Sequence, residues 1–283
     1  MTLAEARGND RGKNDPGNGG PRVAAPLGRR CCEVVANEPA GLYRLVEAID
    51  QEGPSPLPGH FYMLAAVEHW GGEDGRPHLA RAFSVCRVQD ERLGFLVDPI
   101  GPGTERLAEL EPGDGLWLVG PLGIGFSPPP EAVRPLLVAG GVGLAPLVIL
   151  AESLREKGHE PLVLAGFRSA PHAEAASLAG DGVLLATDDG SCGHHGLVTD
   201  LLARELAEDT SVYACGPPAM LERVRELCAE WSVPGELALE EAMACGFGAC
   251  FGCVVRTRSG YRRICVDGPV VAAADLDERW LER

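Results

Sequence analysis

Basic residues are scarce in this 283-residue sequence: 25 Lys plus Arg stand against 41 Asp plus Glu, a formal charge of -16. A chain so acidic repels nucleic acid and anionic lipid, which removes both from the expected partners. No stretch approaches the roughly eighteen consecutive apolar residues of a membrane-spanning helix. The opening "MTLAEARGNDRGKNDPGNGGPR" also lacks the apolar centre of a secretory signal, so a soluble cytoplasmic protein is expected. Cysteine, by contrast, is plentiful. Ten are present and four of them crowd one C-terminal stretch, a distribution that favours metal ligation over a disulfide framework.

Residues 1–28 are rich in Gly, Asn, Asp, Pro and Arg without apolar periodicity, and read as a disordered extension that carries no chemistry. Over 29–133 the segments "CCEVVAN", "LYRLVEAI", "HFYMLAAVE", "AFSVCRV", "LGFLVDPI" and "GLWLVG" are short and rich in β-formers. Turn clusters such as "EGPSPLPG" and "EPGDG" punctuate them, which predicts an antiparallel barrel or sandwich. Over 134–236 the period changes. "PLLVAGG", "PLVLAGF", "VLLATDD" and "SVYACG" have the form of buried parallel strands, while "APLVILAESLREKG" and "PAMLERVRELCAEW" repeat at helical spacing. That alternation predicts a mostly parallel, Rossmann-like α/β unit. A small module over 237–283 holds the crowded cysteines.

"MACGFGACFGC" supplies Cys245, Cys250 and Cys253, and Cys265 follows later. The spacing C-x4-C-x2-C with a distant fourth cysteine is that of a plant-type 2Fe-2S loop. Gly246, Gly248 and Gly252 suit a tight loop with positive φ and amide N–H groups aimed at sulfur. A zinc site of four cysteines is the competing reading, although zinc ligands usually come as two short pairs. The scattered Cys31, Cys32, Cys86, Cys192, Cys215 and Cys228 read as inert thiols.

"RAFSV" lies on a predicted strand, and "GPGTERLAEL" places Gly103 and Thr104 at a helix start, where free N–H groups suit a phosphate. Together they resemble the flavin-binding barrel of the ferredoxin-NADP reductase superfamily. The resemblance implies FAD contacts at Arg81, Ala82, Phe83, Ser84, Gly103 and Thr104, with Arg81 on the pyrophosphate, Phe83 on the flavin ring and Ser84 near its redox nitrogen. It also implies backbone contacts from Leu96, Val97 and Asp98, where many members carry an aromatic and a basic residue in place of Val97 and Asp98.

"LLVAGGVGLAPL" has the strand, glycine turn and helix start that seat a dinucleotide pyrophosphate on backbone N–H groups. Pro146 replaces the third glycine of the standard fingerprint, but Gly-Gly-x-Gly-x-Ala-Pro is the form of the same superfamily. The resemblance implies that Gly140, Gly141 and Gly143 approach the NAD pyrophosphate and that Cys215, Gly216 and Pro217 of "YACGPPAML" border the nicotinamide. Asp188, Asp189 and Gly190 at a strand end are further candidates. Arg168 either accepts a 2′-phosphate or faces solvent, which leaves NAD against NADP open. The pair His194 and His195, with no third ligand nearby, reads as solvated loop.

"LEEAMACGFGACFGCVVRT" and "YRRICVDGPVV" resemble the C-terminal signature of the electron-transfer subunit of class 1B, NAD-dependent dihydroorotate dehydrogenases, and the likeness extends over about residues 30–272. It implies pyrimidine biosynthesis and a partner catalytic subunit containing FMN, in a heterotetramer of two of each chain. Electrons would pass through the cluster and FAD to NAD+. The sequence holds no proton-transfer constellation of its own, as fits a base carried by the partner. The rival readings are a reductase subunit of sulfite reductase or hydrogenase type, a non-catalytic iron-sulfur sensor, and a structural zinc protein.

Overall fold

The computed structural model describes residues 28–72, 77–130 and 132–281, so the expected extension at 1–28, its last residue apart, lies outside the described residues. Seven strands form the first sheet: β1 (Arg30–Ala40), β2 (Tyr43–Ile49), β3 (Phe61–Ala66), β4 (Arg81–Ser84), β5 (Arg87–Gln89), β6 (Arg92–Val97) and β7 (Gly115–Leu122). Their order is β4-β3-β7-β1-β2-β6-β5, and every pairing is antiparallel. Burial alternates along β1, where Arg30, Cys32 and Val34 face inward and Cys31 and Glu33 outward, the period-two signature of a strand with one wet face.

The chain itself forces this sheet to curl. Flat, its edge strands β4 and β5 would lie about 29 Å apart, six strand spacings of about 4.8 Å. Only Val85 and Cys86 separate them in sequence, and three residue steps reach about 11 Å at most. Val85 donates its N–H to His60 O (3.1 Å) on the β3 side, and Cys86 to Gly94 O (2.8 Å) on the β6 side, so these two residues stitch the edges together. The result is a curled antiparallel half-barrel, with Tyr62, Phe95, Leu116 and Leu118 at its core.

Helix α1 (Pro102–Ala108) caps the half-barrel between β6 and β7. The second sheet then takes β8 (Arg134–Gly140), β9 (Leu162–Phe167), β10 (Leu184–Thr187), β11 (His194–His195), β12 (Thr210–Cys215), β13 (Gly235–Ala238) and β16 (Val270–Ala272) in the order β11-β10-β9-β8-β12-β13-β16. All pairs are parallel except β13 with β16. Helices α2 (Ala145–Glu156), α3 (Ala170–Ala173), α4 (Val198–Glu205) and α5 (Pro218–Trp231) make the crossovers. From β8 the chain builds outward through β9 and β10, then jumps back to lay β12 on the other side of β8. The carboxyl ends of β8 and β12 therefore mark the switch point, where open α/β sheets bind ligands.

Strand β13 spans the expected boundary at 236/237, so the C-terminal module leaves the second sheet from β13 and returns to it in β16. Between them lie a hairpin of β14 (Val254–Thr257) and β15 (Gly260–Arg263) and a short helix, α6 (Ile264–Asp267). One apolar cluster runs through all three parts, joining Phe61, Met63 and Leu122 to Leu136 and Leu237 and to Cys253, Val255 and Ile264. No described helix is long and apolar enough to cross a membrane.

Candidate functional site

Two neighbouring cavities lie along the seam between the sheets. The first, about 490 Å³, is lined by Arg81, Ala82, Phe83, Ser84, Leu96, Asp98 and Thr104, and on its far wall by Leu239, Glu240, Glu241, Ala242 and Met243. Arg81 opens β4, and its guanidinium lies across the start of α1, so close that a Cβ on Gly103 would stand 2.8 Å from Nε. A larger residue there would push the guanidinium aside. Thr104 spends its hydroxyl locally: Oγ1 accepts from the Ile100 and Gly101 amides (3.0 and 3.2 Å) and donates to Gly101 O (3.1 Å). Val97 points into the half-barrel core at 1% exposure, so only its backbone can face a ligand. The donor set fits FAD: a cationic fork for a pyrophosphate, a half-buried aromatic, and a hydroxyl beside it.

The second cavity, about 390 Å³, is lined by Gly140, Gly141, Pro217, Arg168 and Asp188 among others. Gly143, Cys215 and Gly216 are not on its wall; they form the tight joint behind it. A Cβ on Gly143 would stand 2.6 Å from the Cys215 carbonyl carbon, and one on Gly216 2.9 Å from Gly140 Cα. The glycine turn after β8 and the Cys-Gly-Pro turn after β12 thus touch backbone to backbone at the switch point. Asp189 and Gly190 lie off the cavity, and Asp189 is occupied by Ser191, which donates from its amide (3.0 Å) and hydroxyl (2.6 Å). His194 Nε2 stands 3.3 Å from Asp200 Oδ2 on the surface, an ordinary polar contact.

Asp98, Val142 and Glu240 line both cavities, so the two adjoin at that junction. Glu240 opens onto both, and enclosure by the surrounding protein pushes its carboxyl above the ordinary carboxylate range. The Cys215 thiol, 3.9 Å from Glu240 Oε1, is raised well above its usual value by burial and by that carboxylate. Glu240 was not singled out among the sequence candidates. Its only signal was its place in "LEEAM", and nothing local says that the segment after β13 folds back over the flavin-side cavity.

Met243, on the wall of the first cavity, stands two residues before Cys245, so the cysteine loop departs from that wall. Gly246 and Gly248 take φ of 76° and 85°. A Cβ on Gly246 would meet Met63 Cγ at 2.5 Å, and one on Gly248 would meet Val266 Cγ2 at 2.6 Å, so the loop is pressed onto β3 and α6. Gly252 meets half of the expectation: the left-handed residue there is Phe251 (φ 58°), but the Gly252 N–H does point at sulfur, donating to Cys250 Sγ at 3.4 Å. The hairpin brings the ends of its strands together, and the Cys265 amide donates to Cys253 Sγ (3.4 Å).

The thiols stand as two interacting pairs, Cys245 with Cys250 and Cys253 with Cys265. Among the described residues no three Cys, His, Asp or Glu side chains converge as the ligands of a single ion. Two thiolates to each of two irons is the demand of a 2Fe-2S cluster, and the donor set fits it. Partial burial works to raise the Cys245 thiol, but the amides of Phe247, Cys250 and Ala249 and the Cys250 side chain outweigh it and bring it down to about 6. Burial and the Cys253 thiol push Cys265 up to about 12.

Residues 240–277 match the family model described as the iron-sulfur cluster binding domain of dihydroorotate dehydrogenase B. The chain is 38% identical over 220 residues to the dihydroorotate dehydrogenase B (NAD(+)) electron transfer subunit of Clostridium acetobutylicum, covering 77% of this chain and 85% of that one. It is 36% identical to the subunit of the same name from Caldanaerobacter subterraneus, covering 80% and 89%. Among solved structures, a chain of the NADH-dependent reduced ferredoxin-NADP oxidoreductase superposes with a TM-score of 0.74 at 26% identity, covering 89% of this chain and 92% of that one. Phthalate dioxygenase reductase shares the fold at a TM-score of 0.56 and 18% identity, covering 87% and 95%. Two adjoining cavities with a cysteine loop leaving the wall of the first, and relatives that match across most of their length, lead to one conclusion: the chain belongs to the family of electron transfer subunits of dihydroorotate dehydrogenase B.

Proposed function

We propose that this chain carries electrons from a partner dihydroorotate dehydrogenase subunit to NAD+, completing the reaction dihydroorotate + NAD+ → orotate + NADH + H+ in pyrimidine biosynthesis. Its cofactors are FAD, a 2Fe-2S cluster and NAD. When bound, the cluster handles single electrons and the flavin gathers two of them for a hydride acceptor. Residues 29–133 hold FAD through Arg81, Ala82, Phe83, Ser84, Gly103 and Thr104 and through the backbone of Leu96, Val97 and Asp98. Residues 134–236 hold NAD on Gly140, Gly141 and Pro217, with Gly143, Cys215 and Gly216 fixing the turn beneath it. Residues 237–283 hold the cluster on Cys245, Cys250, Cys253 and Cys265.

The chain's own residues set the order of the stations. Arg81 anchors a pyrophosphate at one end of the first cavity, which leaves the flavin ring at the end shared with the second. Glu240 and Val142 stand at that junction, on the walls of both cavities. Leu239–Met243 wall the first cavity and lead directly into the cysteine loop. The observation that carries this reading is the run of two cavities meeting at Asp98, Val142 and Glu240, with the cysteine loop leaving the wall of the first.

The partner supplies FMN and the base that dihydroorotate oxidation requires, in a cytoplasmic heterotetramer of two of each chain. Co-expression with that subunit tests the assignment: the purified pair reduces NAD+ when given dihydroorotate, and this chain alone does not. A pair that retains every cofactor and reduces no NAD+ refutes it.

A further inference from the structure

Tyr43 belongs to the first sheet, yet its surroundings belong to the second. The turn before it is pinned across the seam: Leu42 donates its N–H to Pro171 O (3.2 Å), and Gly41 lies so close to that carbonyl that a Cβ there would collide with it. Tyr43 is 3% exposed, and its ring packs beside Phe167 (centroids 6.5 Å apart) and against the edge of His172 (5.8 Å), both from the α/β half. The hydroxyl end reaches the glycine turn after β8, 3.5 Å from where a Cβ on Gly141 would stand, and the residue lines the second cavity.

That hydroxyl has no hydrogen-bond partner among the described residues. The hydroxyl opens onto the cavity rather than being sealed inside the protein, so its acceptor is whatever enters there, water or a ligand. Burial, with Asp98 nearby, pushes the group up to about 12, so it keeps its proton and can only donate at neutral pH when it meets an anion. On the same wall is the exposed Arg168, which pairs with no carboxylate among the described residues.

We infer that Tyr43 donates its hydroxyl to a phosphate of the nicotinamide dinucleotide on the Gly140–Gly143 turn, so that both halves of the molecule grip one ligand. The inference rests on reading the second cavity as the nicotinamide site. It adds a binding residue that lies a hundred positions from the glycine turn in sequence. It also makes dinucleotide binding a clamp across the seam, which steadies the junction where the two cavities meet.

The test uses the full chain loaded with FAD and cluster, titrated calorimetrically with NAD+, with ADP-ribose, which keeps both phosphates, and with adenosine, which has none. Tyr43→Phe keeps the ring and its packing and removes only the donor. A hydrogen bond to a charged group is worth about 1.5–3 kcal/mol, so NAD+ and ADP-ribose bind the variant about ten-fold or more weakly, while adenosine binds unchanged. Unchanged affinity for all three overturns the inference, and so does an equal loss on all three, which marks a packing role. Wild-type chain that binds neither NAD+ nor ADP-ribose sinks the reading of the cavity itself, a separate result from a variant that behaves like wild type.

Discussion

Gly143→Ala isolates the joint between the two turns at the switch point. Gly143 does not have positive φ, so the backbone itself tolerates alanine there and the only obstacle is space. The added methyl would lie 2.6 Å from Cys215 C and 2.7 Å from Gly216 N, both backbone atoms with no rotamer to give. That is about 0.8–1 Å inside ordinary contact, so the turn after β8 must lift off the end of β12 by about that much. Overpacking of this kind costs about 1–3 kcal/mol, a fall in Tm of about 2–10 °C for a chain of this size. A displacement of about 1 Å between reacting groups also costs about a hundred-fold in rate. Dye reduction driven by NADH, calorimetric NAD+ binding and differential scanning calorimetry read these effects. Iron content stays at the wild-type level, since Cys245, Cys250, Cys253 and Cys265 do not touch the joint, whereas Val142, Ala145 and Pro146 of the lifted turn also line the first cavity, so FAD content is measured alongside. A variant with wild-type Tm and wild-type NAD+ affinity would refute the argument that the two turns are locked together.

Cys253→Ser removes a sulfur buried in the module's interior; iron, acid-labile sulfide and the cluster's visible absorption fall away, while FAD stays bound and NADH still reduces dyes. Loss of FAD together with iron would contradict the separation of the two sites. Arg81→Ala weakens FAD binding by about ten- to a hundred-fold, measured by flavin fluorescence, and leaves the iron content unchanged. In iron-free chain the lowered Cys245 thiol is a thiolate above about pH 6 and a thiol below it, so iodoacetamide modifies it at pH 7 and the rate drops as pH falls through about 6. Cys265, held near 12, stays protonated and unmodified across that range, and peptide mass spectrometry distinguishes the two.

What could be read in the sequence was whatever a few consecutive residues fix. The cysteine spacing, the Arg-x-aromatic-Ser strand and the two glycine turns are local, because a cluster loop or a phosphate turn draws most of its groups from one short segment. The curl of the first sheet was implicit too, in the two residues between β4 and β5, though it took the strand order to expose it. Contacts that depend on the return of distant chain stayed hidden. Nothing near Tyr43 announces that it meets the glycine turn, nothing near Met63 says that Gly246 rests on it, and the role of Glu240 depends on β13 ending beside β12. Gly252 shows the limit of reading residue type alone, since Phe251 takes the left-handed position that glycine usually fills.

Strands β13 and β16 are neighbours, with Ala238 opposite Val270. Everything between them, all four cysteines proposed to hold the cluster included, is therefore a segment tied at both ends to the same sheet. Damage that strips the irons does not set this segment adrift. Its thiols keep searching a small volume, and the entropy of bringing them back together is already reduced by the closed ends. A cluster rebuilt there starts from thiols already confined to one small part of the fold.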